Sequence, residues 1–134
     1  MGGTLSITRN TRGRLPRLPF ACMAAAIVPH MNVSLVFIGT RRSQTLNFSY
    51  RQKNKPTNVL SFTLDRQHGE IFITPTIARK QAKKFKRTVT EMVGYLFIHG
   101  LLHLKGLEHG STMDKQEELF SKKFNVWPDT LQQE

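Results

Sequence analysis

Between Ile98 and His109 the chain reads "IHGLLHLKGLEH", and three of its five histidines stand there at H-x-x-x-H-x-x-G-x-x-H spacing. Residues four apart on an α-helix share a face one turn apart, so His99 and His103 can aim their rings at one point. A straight helix cannot bring round a third ligand. Gly106, three residues beyond His103, can take a left-handed conformation, end the helix and fold the chain back to present His109. Three neutral imidazoles leave a tetrahedral zinc with one open position, which is the catalytic arrangement and not the closed structural one. Water there is acidified from about 15.7 to about 7, and the metal also polarises a phosphoryl or carbonyl oxygen. His30 and His68 lack such a context and read as loop histidines.

Metalloproteases of the H-E-x-x-H-x-x-G-x-x-H kind use the same spacing, with the glutamate beside the first histidine as general base. Gly100 holds that place here. A metalloprotease-like hydrolase is therefore the second reading.

Twenty Lys and Arg against nine Asp and Glu give a formal charge of +11. No acid precedes Asp65, whereas Asp114, Glu117, Glu118, Asp129 and Glu134 crowd the end. A basic field of this kind favours polyanions, nucleic acid first. The run "RKQAKKFKR" supplies Lys80, Lys83, Lys84, Lys86 and Arg87 as cations that would track a nucleic-acid backbone. The same run is also what a solvated helix face looks like.

The elements that must position these groups fit one domain of 134 residues, 1–134. Its 39% hydrophobic content with nine Phe is that of a soluble globular protein. Apolar runs such as "PFACMAAAIVP" are far below the roughly 20 residues a membrane span needs. The lone Cys22 agrees with a reducing compartment, and the cytoplasm is expected. "MGGTLSITRNTRGR" has the composition of a transit segment and fits an N-myristoylation pattern at Gly2 and Ser6. Both signals are weak beside "LSIT", which reads as the start of a strand, so the N-terminus is taken as part of the fold.

A strand is expected near Leu5–Thr8, a helix over Pro19–Val28, and a largely buried central strand in "NVSLVFIG". A short helix and a loop ending at Pro56 follow, then a hairpin over Val59–Thr74 with "RQHGE" as its turn. Helical spacing from Pro75 to Leu104 fits one or two helices, with a break near Thr88 and Thr88 or Thr90 as cap before Glu91. A helix over Met113–Phe124 and a tail, "VWPDTLQQE", close the chain.

"HGLLHLKGLEH" resembles the H-G-x-L-H-L-x-G-x-D-H signature of the YbeY family, metal-dependent endoribonucleases of ribosomal RNA maturation. "LNFSYRQKNKPTNVLSF", Leu46 to Phe62, is similar to that family's second conserved block, and "GEIFI" falls where its G-D-I-x-I strand would. The resemblance spans about Val33 to Glu118. It implies an α+β domain with a small mixed four-stranded sheet packed with helices, and one zinc on His99, His103 and His109. It further implies single-strand-specific cleavage at the 3′ end of small-subunit ribosomal RNA and a part in ribosome quality control. Small ribosomal subunit proteins and a ribosome-assembly GTPase would be the partners.

Arg51 matches the family's functionally important arginine in its Y-R motif. A guanidinium near the metal can pair bidentately with phosphate oxygens and stabilise transition-state charge. Glu108 replaces the usual Asp before the third histidine and is expected to orient a ligand histidine or accept a proton. Thr57, Asn58 and Ser61 are candidate cleft hydrogen-bonders, and equally plain turn and strand chemistry. Gly94 stands where members often carry another histidine, and the segment from His109 to Met113 is short. A third reading is a non-catalytic ribosome-assembly factor whose zinc is structural.

Overall fold

Alternate side chains of strand β2, Asn32–Ile38, serve two different cores. Val33, Leu35 and Phe37 enter one, Val36 and Ile38 the other. A strand buried on both faces has no polar side to show, so it reads as a continuous apolar run. The computed structural model describes residues 2–126. Within them β1 (Leu5–Asn10), β2, β3 (Val59–Asp65) and β4 (His68–Ile73) form one sheet in the order β1-β2-β4-β3. β1 and β4 run parallel to β2, and β3 is antiparallel to β4. The sheet is mixed, β2 is interior as expected, and β3 is an edge.

Helices cover both faces. α1 (Phe20–Ile27), α4 (Val89–Leu104) and α5 (Ser111–Lys123) share the larger core with Leu35, Phe37, Ile71 and Ile73, and α3 (Pro75–Lys84) adds Ala78 and Ala82. α2 (Thr40–Arg51) lies on the other face, where Leu46 packs with Val36, Ile38, Leu60 and Phe72. The result is the α+β architecture with a small mixed sheet that the resemblance implies.

α2 is twelve residues long, where a short helix was expected. The discrepancy has a physical cause. Its inward face is polar: Ser43 and Asn47 are buried, and their partners are backbone groups of the following loop, Thr57 and Lys55. Hydrogen bonding to a loop leaves no apolar periodicity to read.

β4 begins at His68, ahead of the expected "IFIT", because β2 offers it partners from Asn32 onward. His68 is thus a strand residue and not a loop residue. The turn shrinks to Arg66 and Gln67. The helical run from Pro75 divides in two as expected, and Thr88, not Thr90, caps the second helix. Of the expected tail, Val126 is buried in the larger core; residues 127–134 lie outside the described residues. Among the described residues no helix is long and apolar enough to cross a membrane.

Candidate metal centre

The helix that carries the first two histidines begins with reciprocal caps. Thr88 Oγ1 accepts the Glu91 amide at 3.0 Å, and the Thr88 amide donates to Glu91 Oε1 at 2.9 Å. From there α4 is wrapped on most of its circumference: Met92, Val93, Leu96, Phe97, Ile98, Leu101, Leu102 and Leu104 are all buried. Tyr95, His99 and His103, each four residues from the next, form a half-buried stripe. Helical spacing thus puts the polar groups on one line and the apolar groups on the others.

α4 ends as the spacing predicts. Gly106 adopts φ 107°, its amide donates to His103 O at 3.0 Å, and the Leu107 amide donates to Leu102 O at 3.1 Å. This is a Schellman closure, with Leu107 folding back against the core. The same turn aims a ligand, because the Leu107 carbonyl accepts from His103 Nδ1 at 3.0 Å. The chain then reverses and places the His109 ring 5.4 Å from His99 and 5.2 Å from His103, centroid to centroid.

His99 is held from behind by α5. Its Nδ1 donates to Glu117 Oε2 at 2.5 Å, and Tyr95 Oη donates to Glu117 Oε1 at 3.2 Å. In their neutral forms both rings therefore carry the proton on Nδ1 and a lone pair on Nε2. Those two Nε2 atoms face each other at 3.1 Å. Two lone pairs so close repel unless a cation or a proton lies between them. One ring nitrogen from each of the three histidines falls within 4.8 Å of the others, and ligands about 2.0–2.1 Å from a tetrahedral zinc lie about 3.4 Å apart. The donor set fits a metal ion.

The surroundings favour a neutral His103 ring. Burial, then the charge of His99, lowers the pKa of His103. Burial, then the Glu117 carboxylate, raises that of the Tyr95 hydroxyl, which stays protonated and remains a donor.

The other expected site residues are dispersed. Arg51 is exposed at the C-terminal end of α2, on the sheet face opposite α4. Edge strand β3 touches both helices: Ser61 Oγ donates to Gly100 O of α4 at 3.2 Å, and the Phe62 ring meets that of Tyr50 in α2 at 4.7 Å. Glu108 is exposed, and the contact from a carboxylate to a ligand histidine is made by Glu117. Lys80, Lys83, Lys84 and Lys86 are exposed along and just beyond α3, and Arg87 is half-buried. Thr57 bonds Ser43 through its backbone, and Asn58 bonds Gln81 and the Val59 amide, which is loop-fixing chemistry.

Glu117 escaped the sequence reading. A signal existed: Met113, Glu117, Phe120 and Phe124 follow one helical stripe, and a lone carboxylate in an apolar stripe needs a buried partner.

Fold and centre together define an α+β domain that gathers three histidines able to hold a metal, two of them near the end of α4. The family model for Endoribonuclease YbeY matches residues 17–128, and the chain belongs to that family. Among relatives of that name, the Bacillus licheniformis protein is 30% identical over 146 residues, covering 91% of each chain. The Aliarcobacter butzleri protein is 38% identical over 68% of this chain and 72% of its own. The protein of Aster yellows witches'-broom phytoplasma is 42% identical, over 56% of this chain and 58% of its own length. The solution structure of TM1509 from Thermotoga maritima superposes with a TM-score of 0.66 over 98% of this chain and 99% of that one, at 20% identity. That likeness is one of fold.

Proposed function

We propose that this chain is a zinc-dependent endoribonuclease that cuts single-stranded ribosomal RNA in the cytoplasm, at the 3′ end of the small-subunit RNA, and serves ribosome quality control. The observation that carries the proposal is the pair of facing Nε2 atoms on His99 and His103, 3.1 Å apart with both Nδ1 protons already engaged. Membership of the endoribonuclease family supports RNA as the substrate. Zinc, when bound, supplies Lewis-acid polarisation of a phosphoryl oxygen and an acidified water.

The protein's own groups do the rest. His99, His103 and His109 hold the ion. Arg51 reaches a scissile phosphate round the β3 edge and offsets charge growing on its oxygens. Lys80, Lys83, Lys84, Lys86 and Arg87 follow the RNA backbone and supply affinity without sequence preference. Glu108, exposed and next to His109 in sequence, takes a proton at the open side. Specificity then comes from unpaired RNA and from the partners, small ribosomal subunit proteins and a ribosome-assembly GTPase. The attacking oxygen is either water or the neighbouring 2′-hydroxyl; a 2′,3′-cyclic phosphate on the product marks the second.

A protease reading meets a steric obstacle besides the missing glutamate. A Cβ on Gly100 would stand 3.1 Å from the Ile71 side chain, which would have to give by a few tenths of an ångström to admit one. Metal analysis of the His99→Ala, His103→Ala and His109→Ala variants, paired with cleavage of small-subunit RNA and of an unstructured protein, tests the assignment. Metal content and RNA cleavage are expected to fall together. A metal-loaded protein that cuts no RNA at any salt, yet unfolds when stripped of zinc, would establish the assembly-factor reading instead.

A further inference from the structure

Glu117 comes from a different helix than any of the three histidines and is 4% exposed. A carboxylate in an apolar stripe is costly to bury unless donors meet its charge. Here Oε2 takes the His99 Nδ1 proton at 2.5 Å and Oε1 the Tyr95 hydroxyl at 3.2 Å. A charge-assisted bond this short fixes three things at once: which ring nitrogen carries the proton, the plane of the imidazole, and the direction of the remaining lone pair. That lone pair points to the His103 Nε2 side, where the third histidine also converges. A carboxylate behind a ligand also makes the imidazole a stronger donor to a metal.

We propose that Glu117 is the positioning residue of the metal centre, holding His99 in the Nδ1-protonated tautomer with Nε2 toward the ion, a role that rests on the proposed metal centre. The carboxylate next to His109 in sequence, Glu108, is exposed and leaves this task to α5. The competing view is that Glu117 merely fastens α5 to α4 through Tyr95.

Zinc affinity of the full chain, measured by competition with a chromophoric chelator, separates the two. Glu117→Ala is expected to bind zinc about 10–100-fold more weakly. Glu117→Gln keeps an acceptor oxygen but loses the charge, and should lie between that variant and the native protein. Tyr95→Phe, which removes the other hydrogen bond to Glu117, should stay within about twofold of native affinity, because the His99 contact survives. In ¹⁵N NMR of the zinc-free protein, the His99 ring should show one Nδ1–H tautomer in the native chain and mixed tautomers in Glu117→Ala.

His103→Ala serves as the reference. If it weakens zinc binding while both Glu117 variants bind as the native protein does, the positioning role is overturned and the metal centre stands. If His103→Ala also binds natively, the metal centre falls and the role with it. Should Glu117→Ala fail to fold, the near-isosteric Glu117→Gln decides by the same two readouts.

Discussion

Val126 fills the space in front of Gly94. A Cβ built on Gly94 would lie well inside contact with Val126 Cγ1 and 2.9 Å from Val126 Cβ, so the chain after α5 closes over α4 only because position 94 has no side chain. The YbeY resemblance implies a histidine at this position in many members, and here that volume belongs to valine. Gly94→Ala sets overpacking of about 1–3 kcal/mol against a gain in helix propensity of about 1 kcal/mol. A net loss of up to about 2 kcal/mol in urea unfolding is expected. In a Val126→Gly background, which removes the Cβ contact as well, the sign should reverse, to a gain of about 1 kcal/mol. Stabilisation in both backgrounds would show that Val126 does not confine the site.

Thr88 and Glu91 cap each other at the start of the histidine-bearing helix. Thr88→Ala should cost about 1 kcal/mol in denaturant unfolding. Because the pair acts reciprocally, the double variant with Glu91→Ala should cost less than the sum of the singles. Additive losses would mean that the two bonds act separately.

Arg51 ends α2, which packs on the sheet face opposite the histidine-bearing α4, so metal binding and the arginine's function should separate. Arg51→Ala is expected to retain full zinc content and lose about 10²–10³-fold in single-turnover cleavage of saturating RNA. Unchanged cleavage removes Arg51 from the mechanism. Loss of zinc would instead make it a structural residue.

The exposed cations of α3 should act on the phosphates of the RNA backbone. Replacing Lys80, Lys83 and Lys84 together by Ala should flatten the dependence of log affinity on log salt by about 0.7 for each single-strand phosphate left without a lysine. Cleavage of saturating RNA should persist. A slope unchanged from native would place these lysines on a solvated face with no part in binding.

The β3–β4 turn carries a pH signature. The Gln67 amide, and next the His68 ring, hold the Asp65 carboxyl below its ordinary range. A lowered folded pKa means that the unfolded chain takes up the proton first. The stabilisation is therefore present above the ordinary value of about 3.9 and is lost as pH falls through the lower folded value. Asp65 is exposed, so the effect is small. Unfolding of the native chain and of Asp65→Asn should differ at neutral pH and converge in acid; a constant difference down to pH about 2 would contradict the assignment.

Local rules account for much of what could be read before any coordinates. The spacing of His99, His103 and His109, the left-handed Gly106, the cap at Thr88 and the interior position of β2 all follow from periodicity and turn chemistry within a few residues of each position. The rest depended on segments far apart in the chain. Glu117 meets His99 across 18 positions, Val126 takes the room left by Gly94, and α2, which ends at Arg51, packs on the sheet face opposite α4. α2 hid its length because a loop, and not an apolar core, satisfies its inner face. Backbone preference is a property of neighbours along the chain, whereas burial of a charge, the filling of a void and the side of a sheet on which a helix lands depend on packing among distant segments. A linear pattern can therefore single out three histidines able to hold a metal without revealing the carboxylate bonded to one of them.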